Sequence, residues 1–200
     1  SIPLDKKNNV YITYLPDATE KDILETVDFV SKQELTPITH LPARTMKDLD
    51  HVSDFLKELR NRTDSKKILV IGGGGNQNGS VSSSLEILEC GLLKDYNFEQ
   101  IGIAGHPEGS PDIDQNTVNE FLNKKYELSK DKDLNLELVT QFFFNAEPFI
   151  KWCEYLENSN IKLPVRVGFP GPASFKTLLN FGIMSGVGNS LSFLKKNSSK

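Results

Sequence analysis

Apolar residues along this chain recur with two different periods. Short, nearly continuous runs rich in β-branched residues lie at Val10–Tyr14, Pro37–His40, Lys67–Ile71, Gln100–Ala104, Leu136–Phe142 and Pro164–Val167. Runs of that length and composition predict buried strands. Between them the apolar positions return at helical spacing: Ile23, Val27 and Val30 on one face, Leu49, Val52, Leu56 and Leu59 on a second, and Phe149, Cys153 and Leu156 on a third. Asp17 and Thr19 mark the start of the first helix, and Ala173 or Ser174 that of the last long one.

The predicted strands start about every 27 to 36 residues, the length of one βα unit. Six such units follow one another without a linker, which predicts the α/β class with a parallel sheet. Polar or glycine-rich segments end nearly every strand: Leu15-Pro16-Asp17, His40–Arg44, Gly72–Gly75, Gly105–Asp112, Gln141 and Gly168–Pro172. An open sheet gathers its ligand-binding loops at one switch point, whereas a barrel brings every strand C-terminus to one end. The even spread therefore favours a TIM (β/α)8 barrel. Six units do not close eight strands, so the expectation is a partial barrel forming one domain over residues 1–200, with a polar tail at 195–200. The chain opens without Met, and an incomplete reading frame lacking the first and last units is expected. Two unpaired strand edges would make such a piece prone to aggregate.

Composition narrows the function. Of 200 residues, 38% are hydrophobic and 25% charged, as in a globular domain able to bury a core. A net charge of −4 without a clustered basic face argues against a nucleic-acid partner. No apolar run approaches the roughly 18 residues of a membrane span. Cys90 and Cys153 share no spacing motif and read as buried reduced thiols, which fits the cytoplasm. The three histidines have no ligand spacing with Cys, Asp or Glu, so no metal site is expected. His51 falls within a helix and reads as surface.

Three segments carry candidate chemistry. Gly72–Ser80 is either a permissive turn or a backbone cradle for an anion, but it matches neither a P-loop nor a dinucleotide fingerprint. In Ala104–Asp112 (AGHPEGSPD), two prolines and two glycines stiffen a loop that displays His106 and carboxylates. Such a loop suits positioning, or simply turns the chain towards a helix capped by Asp112 or Asp114. Gln141 ends an apolar strand and is followed by Phe142–Phe144, of which at least one belongs to the core. Its amide could offer both donor and acceptor to a heteroaromatic ring, with the aromatics stacking on it.

These residues resemble a family. AGHPEGSPD resembles the A-x-Y-P-E-x-H-P segment of methylenetetrahydrofolate reductases, and VTQFFFNAEPFIKW resembles their I-T-Q-x-F-F-D-x-E segment. Thr39-His40-Leu41 resembles the P-H-L-T strand, Lys67–Gly75 the strand leading to the flavin-contacting loop, and Val167-Gly168-Phe169 the P-G-I segment. Similarity runs from about residue 10 to about residue 185, and Gly186–Leu191 looks like a divergent bacterial branch. The resemblance implies a (β/α)8 barrel holding FAD, in which NAD(P)H supplies hydride and 5,10-methylenetetrahydrofolate becomes 5-methyltetrahydrofolate. It would place His40, Gly73, Ala104, His106 and Lys125 on the FAD, and Gln141 on the folate or the nicotinamide. The family's catalytic acid lies on a first strand that Ser1–Asn9 does not resemble, so no catalytic residue is expected in this chain. Gly72-Gly73-Gly74 stand where the family has Arg-Gly-Asp, His106 replaces a Tyr, and Ser110 replaces a His. Those departures raise a second reading: a folate-binding homologue with altered or lost flavin use, acting in one-carbon transfer or demethylation. The resemblance leaves a homo-oligomer open.

Overall fold

The computed structural model describes residues 5, 8–15, 17–74, 77–110 and 113–184. Strands and helices alternate in chain order: β1 (Asn9–Ile12), α1 (Glu20–Lys32), β2 (Thr36–Pro42), α2 (Leu49–Arg62), β3 (Lys67–Ile71), α3 (Ser84–Glu89), α4 (Leu92–Asp95), β4 (Gln100–Gly105), α5 (Gln115–Asp131), β5 (Leu136–Phe142), α6 (Ala146–Asn158), β6 (Val165–Gly168) and α7 (Phe175–Met184). The strands pair in sequence order, β1-β2-β3-β4-β5-β6, and β1 with β2, β2 with β3, β3 with β4 and β5 with β6 run parallel. A doubly wound sheet reverses its order at a switch point. An order without reversal is that of consecutive units of a (β/α)8 barrel, and the fold is that class with six of its units.

Two compact units divide the chain, 1–103 with 128–135, and 104–127 with 136–200. In the first, β2 and β3 are buried along nearly their whole length, as parallel strands with both faces covered must be. Ile23, Val27 and Val30 of α1 and Val52, Phe55, Leu56 and Leu59 of α2 are buried in the same unit. Leu49, expected on that second face, is instead 41% exposed, because it opens the helix one turn short of the buried stripe.

Helix ends follow local chemistry. Thr19 caps α1 in a full capping box: its hydroxyl accepts from the Asp22 N–H (3.2 Å), and the Asp22 carboxylate accepts from the Thr19 N–H (2.8 Å). Thr19→Ala should cost about 1 kcal/mol in urea unfolding, with no change in the slope of the transition. Asp114 caps α5 by accepting from the Asn116 and Thr117 N–H groups at 3.0 and 3.1 Å. Ser174 accepts from Thr177 at the start of α7.

Glu34, Asn97, Asp133 and Asn160 all adopt a left-handed backbone shortly before β2, β4, β5 and β6. This is the helix-ending conformation that glycine usually supplies.

Three expectations are corrected. His51 is not simple surface: its Nδ1 accepts from the Lys47 N–H, so its Nε2 donates to Glu20 of α1 and ties α1 to α2. Cys90 and Cys153 are free thiols but half-buried, and Cys90 donates to the Ile87 carbonyl. Lastly, β5 is not purely apolar, since Glu137 lies buried within it. No described helix is long and apolar enough to cross a membrane. Pro16, Gly75, Asn76, Pro111, Asp112 and 185–200, including the tail and the Gly186–Leu191 ending, lie outside the described residues.

Candidate functional site at the strand C-terminal ends

In the unit formed by 104–127 and 136–200, β4 ends in Ala104 and Gly105. A Cβ on Gly105 would stand 2.8 Å from Trp152 Cη2 and 3.6 Å from Thr140 Cγ2, so glycine here lets the indole of α6 lie against the strand. The chain then turns at once. Gly109 N–H donates to the His106 carbonyl (3.1 Å), closing a turn with Pro107 at its second position, where the ring presets φ.

His106 and Lys125 of α5 are electrostatically coupled. Burial lowers the His106 pKa, and the Lys125 charge lowers it further, so the imidazole is neutral at pH 7. Burial alone pushes the Lys125 ammonium down to about 8. Lys125 makes no ion pair or hydrogen bond among the described residues. A desolvated cation coupled to a neutral imidazole and a stiff turn is suited to an anion, whose arrival would raise the ammonium's pKa again.

Gln141, near the end of β5, is exposed, and its Oε1 accepts from the Phe142 N–H at 3.0 Å. That contact identifies the amide oxygen and leaves the NH2 group as a donor with no partner among the hydrogen bonds of the described residues. The register between β5 and β6 shifts between Val139 and Phe142, and Gly168 N–H donates to Thr140 Oγ1 across the shift (2.9 Å). Glu137, only 4% exposed, accepts from Arg166 Nε at 2.7 Å. Arg166 pairs in register with Val139, so the ion pair shares a sheet face with Val139, two residues along β5 from both Glu137 and Gln141. Arg166→Ala should cost about 2 kcal/mol in urea unfolding. That is below the usual ~3–5 for a broken buried pair, because the guanidinium is partly solvated.

Of the three phenylalanines, Phe143 is buried and stacks on Phe149 (5.2 Å, 21°), while Phe142 and Phe144 meet edge to face at 5.7 Å.

The unit formed by 1–103 and 128–135 holds the other two predicted residues. His40 lies edge-on to Tyr11 at 6.3 Å, and burial lowers its pKa to about 4. An imidazole held neutral in the fold but protonated in the unfolded chain destabilises the fold as pH falls through about 6.5 towards about 4. His40→Gln should flatten that part of a stability-versus-pH curve. Gly73 has φ +85°, and a Cβ on it would meet Pro42 Cβ at 3.0 Å. The Arg44 N–H donates to the Gly72 carbonyl at 2.9 Å, and the Asn78 N–H to the Arg44 carbonyl at 2.8 Å. These bonds give the described part of the glycine segment the geometry of a permissive turn strapped over the end of β2.

A cleft of about 650 Å³ in this unit is lined by Asn97, Glu99, Asp133 and Asn135. It lies at the N-terminal end of β4 and includes none of the predicted residues. Because ligand sites of this fold occupy the opposite strand ends, the cleft does not displace the candidate site. No metal-binding cluster occurs among the described residues.

Comparison with known proteins agrees in part. No family model matches the chain. It is 38% identical over 78 residues to methylenetetrahydrofolate reductase 1 of Schizosaccharomyces pombe, covering 38% of this chain and 12% of that protein. It is 30% identical over 105 residues to 5,10-methylenetetrahydrofolate reductase of Buchnera aphidicola, covering 48% and 31%. Methylenetetrahydrofolate reductase 2 of Saccharomyces cerevisiae matches at 30% over 71 residues, covering 34% and 11%. The chain thus spans about a third or less of the length of these relatives. A solved β-mannanase from Thermomonospora fusca, in complex with mannohexaose, superposes at a TM-score of 0.48 with 13% identity, covering 90% of this chain and 66% of that one.

Proposed function

We propose that this chain is the folate-binding portion of a barrel oxidoreductase resembling methylenetetrahydrofolate reductase. The observation that carries the reading is Gln141: an exposed amide near a strand C-terminus whose oxygen accepts from the Phe142 N–H, which leaves its NH2 as the group able to donate. It stands in the segment that the sequence resemblance singles out, and the partial matches to three proteins of that name support the family. Gln141 would donate to a carbonyl or ring nitrogen of the folate pterin. Gln141→Ala should weaken tetrahydrofolate binding by about 1–3 kcal/mol, read by calorimetry on folded protein. Unchanged affinity would remove Gln141 from the site.

For FAD, the residues present fit the phosphate-bearing side. Lys125 is a desolvated cation with no hydrogen bond or ion pair among the described residues, and His106, which feels its charge, is held neutral and able to donate a hydrogen bond. When bound, FAD would supply hydride transfer between NAD(P)H and the folate. Lys125 and His106 would orient its phosphates and exclude water from them, and Ala104 leaves that strand end open to a planar ligand. By resemblance, His40 and Gly73 are the further flavin-contacting positions.

A test follows from the Lys125 pKa of about 8. An anion seated on Lys125 raises that pKa, so binding at pH 8 should take up about half a proton. Calorimetry of FAD binding in buffers of different ionisation enthalpy would show this uptake, and Lys125→Met should abolish it. Binding without proton uptake would place the phosphates elsewhere.

The second reading, a folate-binding homologue with altered or lost flavin use, is favoured by the turn geometry at Gly72–Gly74. That segment supplies no charged side chain where the family has an Arg and an Asp. The visible spectrum of the purified protein separates the two. Flavin absorption supports the reductase, and a colourless protein that still binds folate supports the homologue.

A further inference from the structure

We propose that Phe169 is the stacking face for the heteroaromatic ring that Gln141 holds by its edge. Four observations on β5, β6 and α6 converge on this pairing. First, Gly168 ends β6 with its α-carbon pressed on the β5 main chain. A Cβ there would lie 2.8 Å from Phe142 N and 2.9 Å from both the Gln141 carbonyl carbon and the Thr140 oxygen. The Gly168 N–H bond to Thr140 Oγ1 fixes that approach, so the next residue, Phe169, leaves the strand from beside the Gln141–Phe142 main chain.

Second, Phe169 is 75% exposed, more than any other large apolar residue among those described. Third, it is anchored rather than loose. Its ring tilts against Phe143 at 6.2 Å and 51°, Phe143 stacks on Phe149 at 5.2 Å, and Phe149 meets Trp152 at 6.1 Å. Phe169 is thus the most exposed ring of an aromatic series whose inner members are packed.

Fourth, the group beside it is of one polarity. Gln141 gives its oxygen to Phe142 N–H and presents its NH2. A π-face next to amide donors selects a flat ring with acceptors on its edge, such as a lactam-bearing pteridine. A purely apolar ring would leave the donors unpaired.

The proposal rests on the folate reading and sharpens it by assigning the ring, rather than the acyl-glutamate tail, to this end of the sheet. The test titrates the protein with tetrahydropterin and, separately, with p-aminobenzoylglutamate, which lacks the ring. The readout is the fluorescence of Trp152, the only tryptophan in the chain. Phe169→Ala and Phe169→Leu should each weaken tetrahydropterin binding about tenfold, while Phe169→Tyr retains it and p-aminobenzoylglutamate binding is unaltered.

Because Phe169 is mostly solvated, the unfolding midpoint of Phe169→Ala should match the parent. A marked drop would make Phe169 a packing residue and overturn the proposal. So would tetrahydropterin affinity unchanged in Phe169→Leu while Gln141→Ala loses it, and that result leaves the folate reading standing. If the parent protein binds neither probe, the folate reading fails and the proposal fails with it.

Discussion

Replacing Trp152 by alanine is expected to lower the unfolding free energy by about 3–5 kcal/mol, the largest effect of any single side-chain truncation here. The indole is 5% exposed, and its Cη2 and Cζ2 lie 2.8 and 3.2 Å from the place a Gly105 Cβ would take. The Phe149 ring is 6.1 Å away between centroids. Truncation opens a cavity between α6 and the end of β4 that main chain cannot collapse to fill. The converse change, Gly105→Ala, overfills the same space and should cost about 1–3 kcal/mol. The pair is diagnostic because the two errors compensate. Gly105→Ala combined with Trp152→Phe, which withdraws the far edge of the indole, should be more stable than the sum of the separate losses. Urea denaturation of the four proteins measures the coupling, and strict additivity would mean that the two groups do not touch. The consequence reaches function through His106, which follows Gly105 directly, so Trp152→Ala should also weaken anion binding at Lys125.

The six strands are legible in the sequence because parallel strands buried on both faces must be short apolar runs. Lys67–Ile71 and Leu136–Phe142 coincide with β3 and β5 to the residue. At the edges the reading drifts: β1 is Asn9–Ile12 rather than Val10–Tyr14, since at one end of the sheet only one neighbour fixes where pairing stops. What periodicity misses are partners. Glu137 looks like an interruption in an apolar run, and only Arg166, 29 residues on, explains its burial. His51 is a surface residue by helical phase until Glu20, 31 residues earlier, is placed against it. Trp152 lies beside the face traced by Phe149, Cys153 and Leu156, yet it is more buried than Cys153 because Gly105 leaves room for it. The left-handed residues that end the helices are also hidden. Of the four before β2, β4, β5 and β6 none is glycine, and Glu34 has no sequence signature for that conformation. For the candidate site, spacing picks out Gln141 and His106. It is silent on the desolvation of Lys125 and on the exposure of Phe169, because both depend on how the chain packs.

Gly168→Ala is expected to destabilise the protein by about 2–3 kcal/mol and, at temperatures where it remains folded, to weaken folate binding at least as much as Gln141→Ala. The three atoms that a new methyl would meet, Phe142 N, Gln141 C and Thr140 O, are all main chain, at 2.8, 2.9 and 2.9 Å. No rotamer change can relieve the contact, so β6 must move away from β5. That movement stretches the bond from Gly168 N–H to Thr140 Oγ1 and disturbs the Phe142 N–H that orients the Gln141 amide. It also carries Phe169 away from the amide, so a single methyl should uncouple the two groups proposed to share one ring. Gly171→Ala is the control: it lies three residues on in the same loop, and a Cβ there meets nothing within 4 Å. Stability and affinity should then differ sharply between the two alanine variants. Equal behaviour of Gly168→Ala and Gly171→Ala would mean that β5 and β6 do not close on one another at Gln141. The amide and the aromatic face would then have no common geometry to offer a ligand.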